Sequence, residues 1–134
     1  METITFDNDI TVFYVQAKSF PDDIMYAHKK LRALVPFSTN RKYFGISRPE
    51  TDGIVYKAAA EEIRPNEAMD LNLDTVVLKK GKYISLTIKD YAKDIQSIDR
   101  AFKELLSCPG LDPQGYCVEW YVNDADVKCM IRLA

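Results

Sequence analysis

The stretch Cys117-Val118-Glu119-Trp120-Tyr121-Val122 sets a carboxylate, a phenol and a thiol at alternate positions of an otherwise apolar run. A period of two sends Val118, Trp120 and Val122 to one face of a strand and Cys117, Glu119 and Tyr121 to the other. Taking a carboxylate out of water without a partner costs several kcal/mol, roughly, after the protein has relaxed around it. Glu119 therefore faces solvent, pairs with a base, or waits in a cavity for a cationic or polar group. If Val122 pairs with Val127 across the following turn, Glu119 lies opposite Met130, with Lys128 and Arg132 on the diagonals of the same face. Two readings stay open: a cross-strand ion pair on a solvated face, or a cavity rimmed by Tyr121 and Met130 that attracts cations.

The other reactive side chains give weaker signals. Of eight tyrosines, Tyr14, Tyr43, Tyr56, Tyr83, Tyr116 and Tyr121 fall on predicted strands, where packing explains most of them. His28 lies beside an apolar helical stripe, between Ala27 and Leu31, and reads as a half-exposed structural imidazole. Cys117 has no basic neighbour to activate it, and Glu61-Glu62 reads as a solvated strand end. His28 is the only histidine, no ligand spacing suits a metal, and no glycine loop precedes a helix. Neither a metal site nor a cofactor is expected.

Positioning these groups falls to a chain of 134 residues, enough for one domain over 1–134, with a formal charge of −2 and a pI near 5.4. Lys and Arg are scattered, so direct nucleic-acid binding is not expected. The first residues lack a charged segment followed by an apolar one, and no apolar run is long enough for a membrane span. The expectation is a cytoplasmic protein whose three cysteines are reduced.

Strand patterns run over Thr3 to Phe6, Ile10 to Ala17, Arg41 to Ser47 and Ile54 to Ile63. Phe20-Pro21-Asp22-Asp23 reads as a helix start, and Ile24, Ala27, Leu31, Leu34 and Val35 mark one helical face stopped by Pro36. Pro49-Glu50-Thr51-Asp52-Gly53 reads as a turn. Strand runs return at Thr75 to Leu78, Lys82 to Lys89, Gly115 to Val122 and Val127 to Leu133. Ile95, Ile98, Phe102, Leu105 and Leu106 mark a second helix before Pro109-Gly110. Residues 1–63 and 74–134 thus repeat one β-α-β-β grammar, with 64–73 as the connection. Phe20 and Tyr91, Asp23 and Asp94, and Ile24 and Ile95 recur at one offset, and a slightly longer offset sets Gly45 opposite Glu119. The expected fold is α+β: two such units related by a pseudo-two-fold, forming one antiparallel sheet with two helices on one face. The ligand cleft is expected on the other face, holding Glu119, with room left by Gly45.

The order of elements, the segments Tyr43-Phe44-Gly45-Ile46-Ser47, Asp52-Gly53-Ile54-Val55-Tyr56 and Val77-Leu78-Lys79-Lys80-Gly81-Lys82-Tyr83, and above all Val118-Glu119-Trp120-Tyr121-Val122-Asn123-Asp124 resemble the gyrase-inhibitor-like small-molecule-binding domains. These domains also serve as effector-binding domains of AraC- and MerR-type regulators. The resemblance implies a cleft between the two modules in which a central glutamate, here Glu119, meets apolar, often cationic, aromatic ligands, with Tyr121 as the matching aromatic. Met130, Tyr43, Gly45, Ser47 and Arg132 complete the expected ligand-binding set. Some relatives use a Glu/Tyr pair as hydrolases, which here would be Glu119 and Tyr121. A gyrase-inhibitor-type protein-interaction module is the third possibility. The last strand departs from the family pattern, carrying Met130 and Arg132 where an aromatic and a proline are usual, so Arg132 is a candidate partner for Glu119. No DNA-binding segment precedes the module, so the expected partners are a small organic ligand and, for regulation, another protein or a second copy.

Overall fold

The computed structural model describes residues 1–51 and 53–134; the turn expected over 49–53 includes Asp52, which lies outside them. Eight strands are present: β1 (Glu2–Phe6), β2 (Ile10–Gln16), β3 (Tyr43–Glu50), β4 (Gly53–Glu61), β5 (Thr75–Leu78), β6 (Gly81–Ile88), β7 (Cys117–Tyr121) and β8 (Val127–Arg132). They form one antiparallel sheet in the order β1-β6-β8-β7-β3-β4-β2-β5. Each half supplies four neighbouring places, except that the edge strands are exchanged. β1 pairs with β6 of the second half, and β5 pairs with β2 of the first. The order reads the same from either end once halves are swapped, so the pseudo-two-fold passes between β3 and β7.

That axis explains the register at the centre. Phe44 pairs with Trp120, Gly45 with Glu119 and Ile46 with Val118. Residues equivalent under the repeat, Gly45 and Glu119, are therefore direct neighbours on adjacent strands, and their flanks cross over as a two-fold requires.

Helices α1 (Ile24–Leu34) and α3 (Ser97–Leu106) lie over one face, and a single helical turn, α2 (Glu67–Asp70), sits in the connection. α1 covers Phe13, Val15, Tyr56, Ala58 and Ala60 through Ala27 and Leu31. The run Ala58-Ala59-Ala60 is fully buried because both faces of β4 are covered there; small side chains let the helix approach, and packing overrides alanine's poor strand preference. α3 covers Val127, Cys129 and Ile131 through Ala101, Phe102 and Leu105. On the opposite face, Phe6, Val12, Leu78, Phe44, Ile46, Val118 and Met130 form one cluster. Its members come from both ends of the strand order, so the sheet curls into a half-barrel and closes that face on itself.

This corrects the expected placement of the carboxylate. The face away from the helices is not free: curling fills it with apolar side chains. Glu119 lies instead on the helix-bearing face, over the gap between α1 and α3. The first helix also begins later than expected, at Ile24, with Asp23 in the capping position, where its carboxylate accepts the Lys18 N–H at 2.6 Å and does not bond to the helix. Finally, the connection is more ordered than its composition suggests. Glu67 of α2 forms a two-pronged ion pair with Arg41, at 2.6 and 2.9 Å, and also accepts the Ile63 N–H at 2.9 Å. Both partners are buried, which ties the connection to the start of β3.

Candidate functional site

Alternation along β3, β4 and β7 puts Tyr43, Gly45, Ser47, Tyr56, Cys117, Glu119 and Tyr121 on the helix-bearing face. Glu119 is 9% exposed. Its Oε1 accepts two phenolic hydrogen bonds, from Tyr56 at 2.9 Å and from Tyr121 at 2.5 Å. On the other side the Tyr56 hydroxyl meets His28 Nε2, from α1, at 2.8 Å. Because Tyr56 has one proton and gives it to Glu119, it accepts from His28, which fixes the imidazole proton on Nε2. The His28 ring also packs edge-on against Tyr121, with centroids 5.4 Å apart. Four side chains from two strands and a helix thus form one chain of hydrogen bonds, His28 to Tyr56 to Glu119 from one side and Tyr121 to Glu119 from the other.

Gly45 is required by this arrangement. A Cβ at this position would stand 2.1 Å from the Tyr56 hydroxyl oxygen and 2.6 Å from Glu119 Oε1. The space expected beside Gly45 exists, and the tyrosine and the carboxylate occupy it.

The electrostatics follow from burial. Burial raises the Glu119 pKa, and the bonds from Tyr121 and Tyr56 oppose that rise. Burial, then the Glu119 charge, pushes both tyrosines well above their ordinary range, so they remain donors. Burial, then the nearby Arg32, lowers His28 to about 4, so the imidazole is neutral at physiological pH. Burial and then Glu119 push Cys117 up to about 11, which leaves its thiol protonated and inert.

The ion pair that the sequence left open does not form. β7 and β8 pair with Tyr121 opposite Val127 and Glu119 opposite Cys129, one residue away from the expected Val122–Val127 register. A slip of one residue exchanges the faces. Met130 and Arg132 therefore leave the site. Met130 is opposite Val118, fully buried in the curled face. Arg132 binds Asp112 at 3.0 Å and the Lys80 carbonyl at 3.0 Å, beside a separate hollow of about 50 Å³. Lys128 pairs with Glu2 at 2.8 Å. Among the described residues no cationic side chain bridges to Glu119, and its Oε2 receives no hydrogen bond.

A groove opens above this network. Its inner section, about 270 Å³, lies between α1 and Tyr91, and His28, Tyr43 and Tyr121 form part of its wall. An outer section of about 410 Å³ shares Arg32, Tyr43, Tyr91 and Tyr121 with it and continues past Phe37 and Ser38 to Asn123 and Asp124. Tyr43 lines both sections, with its hydroxyl accepting the Ser38 N–H at 2.9 Å. Glu119 itself does not line the groove, since Tyr121 and His28 stand between. Ser47 shares the face, next to Tyr56 and Cys117 in register, but lines neither section.

Sequence reasoning missed Tyr56 and His28 as members of the site. For Tyr56 a signal is present: pairing Glu50 with Gly53 sets Ser47 opposite Tyr56, on the face of Gly45. His28 shares the α1 stripe with Ile24 and Leu31, yet only the seat of the helix on the sheet aims it at Tyr56. Among the described residues no group of three or more His, Cys, Asp or Glu is placed to hold a metal ion. Nor is any helix there long and apolar enough to cross a membrane.

No family model matches this sequence. No curated protein matches it either. Solved structures do share its fold. An integron cassette protein from the mobile metagenome of Vibrio cholerae, VCH_CASS2, has a TM-score of 0.68 at 16% identity, over 99% of this chain and 95% of its own. SAV2435 bound to tetraphenylphosphonium has 0.63 at 11%, over 99% and 93%. A hydrolase from Listeria innocua has 0.53 at 9%, over 99% and 90%. At these identities the likeness establishes the fold alone, and one protein that shares it binds a small organic cation.

Proposed function

We propose that this chain is a small-molecule-binding module of the gyrase-inhibitor-like kind, acting as a sensor or a sequestering protein for largely apolar, aromatic ligands that carry positive charge. The observation that carries the reading is a buried carboxylate with two phenols and no cation. Neutralising such a group from within the chain would take one basic side chain, and Lys128 and Arg132 both turn away. A ligand entering the inner groove displaces the Tyr121 ring, reaches Glu119 and supplies the missing positive charge. The phenol rings of Tyr121, Tyr91 and Tyr43 provide apolar and cation–π contact. Tetraphenylphosphonium, the cation bound by one protein of the same fold, is the natural first probe. Calorimetric titration is expected to give saturable binding that Glu119→Gln weakens at least about tenfold, the loss of one desolvated charge contact. Equal binding by the variant refutes the anchor.

A second reading is favoured by one specific feature. A hydrolase acting on strained or activated small molecules needs a proton donor within reach of the carboxylate, and Tyr121 and Tyr56 both meet that distance. Glu119, its pKa raised by burial, would activate water, and Tyr121 would protonate the leaving atom. Turnover of activated esters that persists in Glu119→Gln excludes this mechanism.

A further inference from the structure

The groove carries positive charge on its α1 side, while the negative charge of Glu119 lies behind its Tyr121 and His28 wall. Lys29 and Arg32, from α1, line the inner section, and Arg32 lines the outer one as well. Neither makes an ion pair among the described residues, where nine other basic–acidic contacts are formed. Arg41 also borders the outer section, but Glu67 and the Glu61 carbonyl hold its guanidinium, so it offers no free charge. Asp124 stands on the outer section's lining, whereas the inner section contains no carboxylate in its wall. The free positive charge is thus concentrated along one side, on the helix that also supplies His28.

We propose that Arg32, supported by Lys29, is an anion subsite, and that the preferred ligand is an amphoteric aromatic molecule bearing a carboxylate. The inference rests on the binding reading above: the cationic or hydrogen-bond-donating end reaches Glu119, and the carboxylate remains in the groove on the guanidinium. A singly charged cation without an acidic group meets Lys29 and Arg32 on entry and gains nothing from them. A zwitterion is attracted at both ends, and its orientation in the groove is fixed.

Three probes separate these terms: tetraphenylphosphonium, carboxybutyl triphenylphosphonium, and the methyl ester of the latter. Acid and ester share the cationic head and the tail and differ in the terminal charge. At low salt the acid is expected to bind about three- to tenfold more tightly than the ester, the range of one charge-assisted contact at a partly exposed site. In Arg32→Gln the ratio falls towards one, with the ester unchanged or tighter, while Arg32→Lys keeps part of the preference. Glu119→Gln weakens both compounds and leaves their ratio intact. Equal affinity of acid and ester for the wild type, or an equal loss of both in Arg32→Gln, overturns the anion subsite while leaving the binding reading in place. Failure of all three probes to bind refutes the binding reading, and the subsite with it.

Discussion

Gly45→Ala is the smallest change that tests the architecture of the site. The added methyl would lie 2.1 Å from the Tyr56 hydroxyl and 2.8 Å from its Cζ, far inside van der Waals contact. The backbone cannot yield, because Gly45 is paired on both sides, with Ala58 and with Glu119. The Tyr56 ring must therefore move, breaking its bonds to Glu119 and His28. The first is a bond to a charged acceptor, about 1.5–3 kcal/mol, and the second adds about 1 kcal/mol. Replacing glycine within a strand returns about 0.5–1 kcal/mol through the unfolded chain. The net loss is about 1.5–3.5 kcal/mol, read by urea denaturation at neutral pH. A double-mutant cycle with Tyr56→Leu isolates the tyrosine's share, since leucine has no hydroxyl or ring at those distances and leaves only the 2.6 Å approach to the end of the Glu119 side chain: in that background Gly45→Ala should cost clearly less than in the native one. A cost that is equal in both backgrounds, or a stable Gly45→Ala in the native one, refutes the packing argument.

Two further expectations concern pH. Burial raises the folded-state pKa of Glu119, so the folded protein binds this proton more tightly than the unfolded chain. Wild type should lose stability relative to Glu119→Gln as pH rises from the ordinary carboxylate range through the raised value, so the difference in thermal melts moves in the variant's favour between about pH 4 and pH 8. A constant difference across that range contradicts the assignment. Glu67 is the opposite case, held at about 2, first by the bonds from Arg41. Its contribution is complete above the ordinary carboxylate pKa near 4.5 and disappears as pH falls towards 2. Arg41→Met should cost about 2–3 kcal/mol at neutral pH, since it leaves the buried carboxylate with only the exposed Arg64 at 3.3 Å and two backbone N–H groups. That cost should shrink on acidification; if it persists undiminished near pH 2, the ion pair is not its source.

Much of the fold is readable in the sequence because its periodicities are local. Alternation in Lys82 to Lys89 and the apolar stripe through Ala27 and Leu31 give a strand and a helix directly, and the offset between the halves gives the equivalence of Gly45 and Glu119, which the pairing of β3 with β7 turns into a cross-strand contact. What is not readable depends on distances between segments. The Asn123-Asp124-Ala125-Asp126 loop admits two registers for β7 and β8. The sequence does not choose between them, because Val122 and Tyr121 are both acceptable partners for Val127. That single residue decides whether Arg132 or an uncharged neighbour faces Glu119. The curl of the sheet is equally non-local: it arises because Phe6 and Leu78, from opposite ends of the strand order, meet in one cluster, and no window of sequence contains both. The helix stripe alone makes His28 a structural imidazole, and only the docking of α1 on β4 gives it Tyr56 as a partner.

The pseudo-two-fold also explains why the site is asymmetric although the fold is not. At the axis, symmetry-related positions are cross-strand neighbours, with Cα atoms about 4.5–5.5 Å apart. Two identical carboxylates there would repel each other in a buried setting, and two bulky residues would collide. A single charge at the axis therefore requires the other half to give up its side chain, and Gly45 does so. The vacated volume then admits Tyr56, whose hydroxyl reaches the carboxylate, and the phenol in turn engages His28 of α1. One half supplies the acid and Tyr121, and the other supplies space, a second donor and the helix that covers them. On the binding reading proposed above, a ligand that drew Tyr121 away would leave the Tyr56 and His28 side intact, so the carboxylate would stay oriented by one half while the other received the ligand.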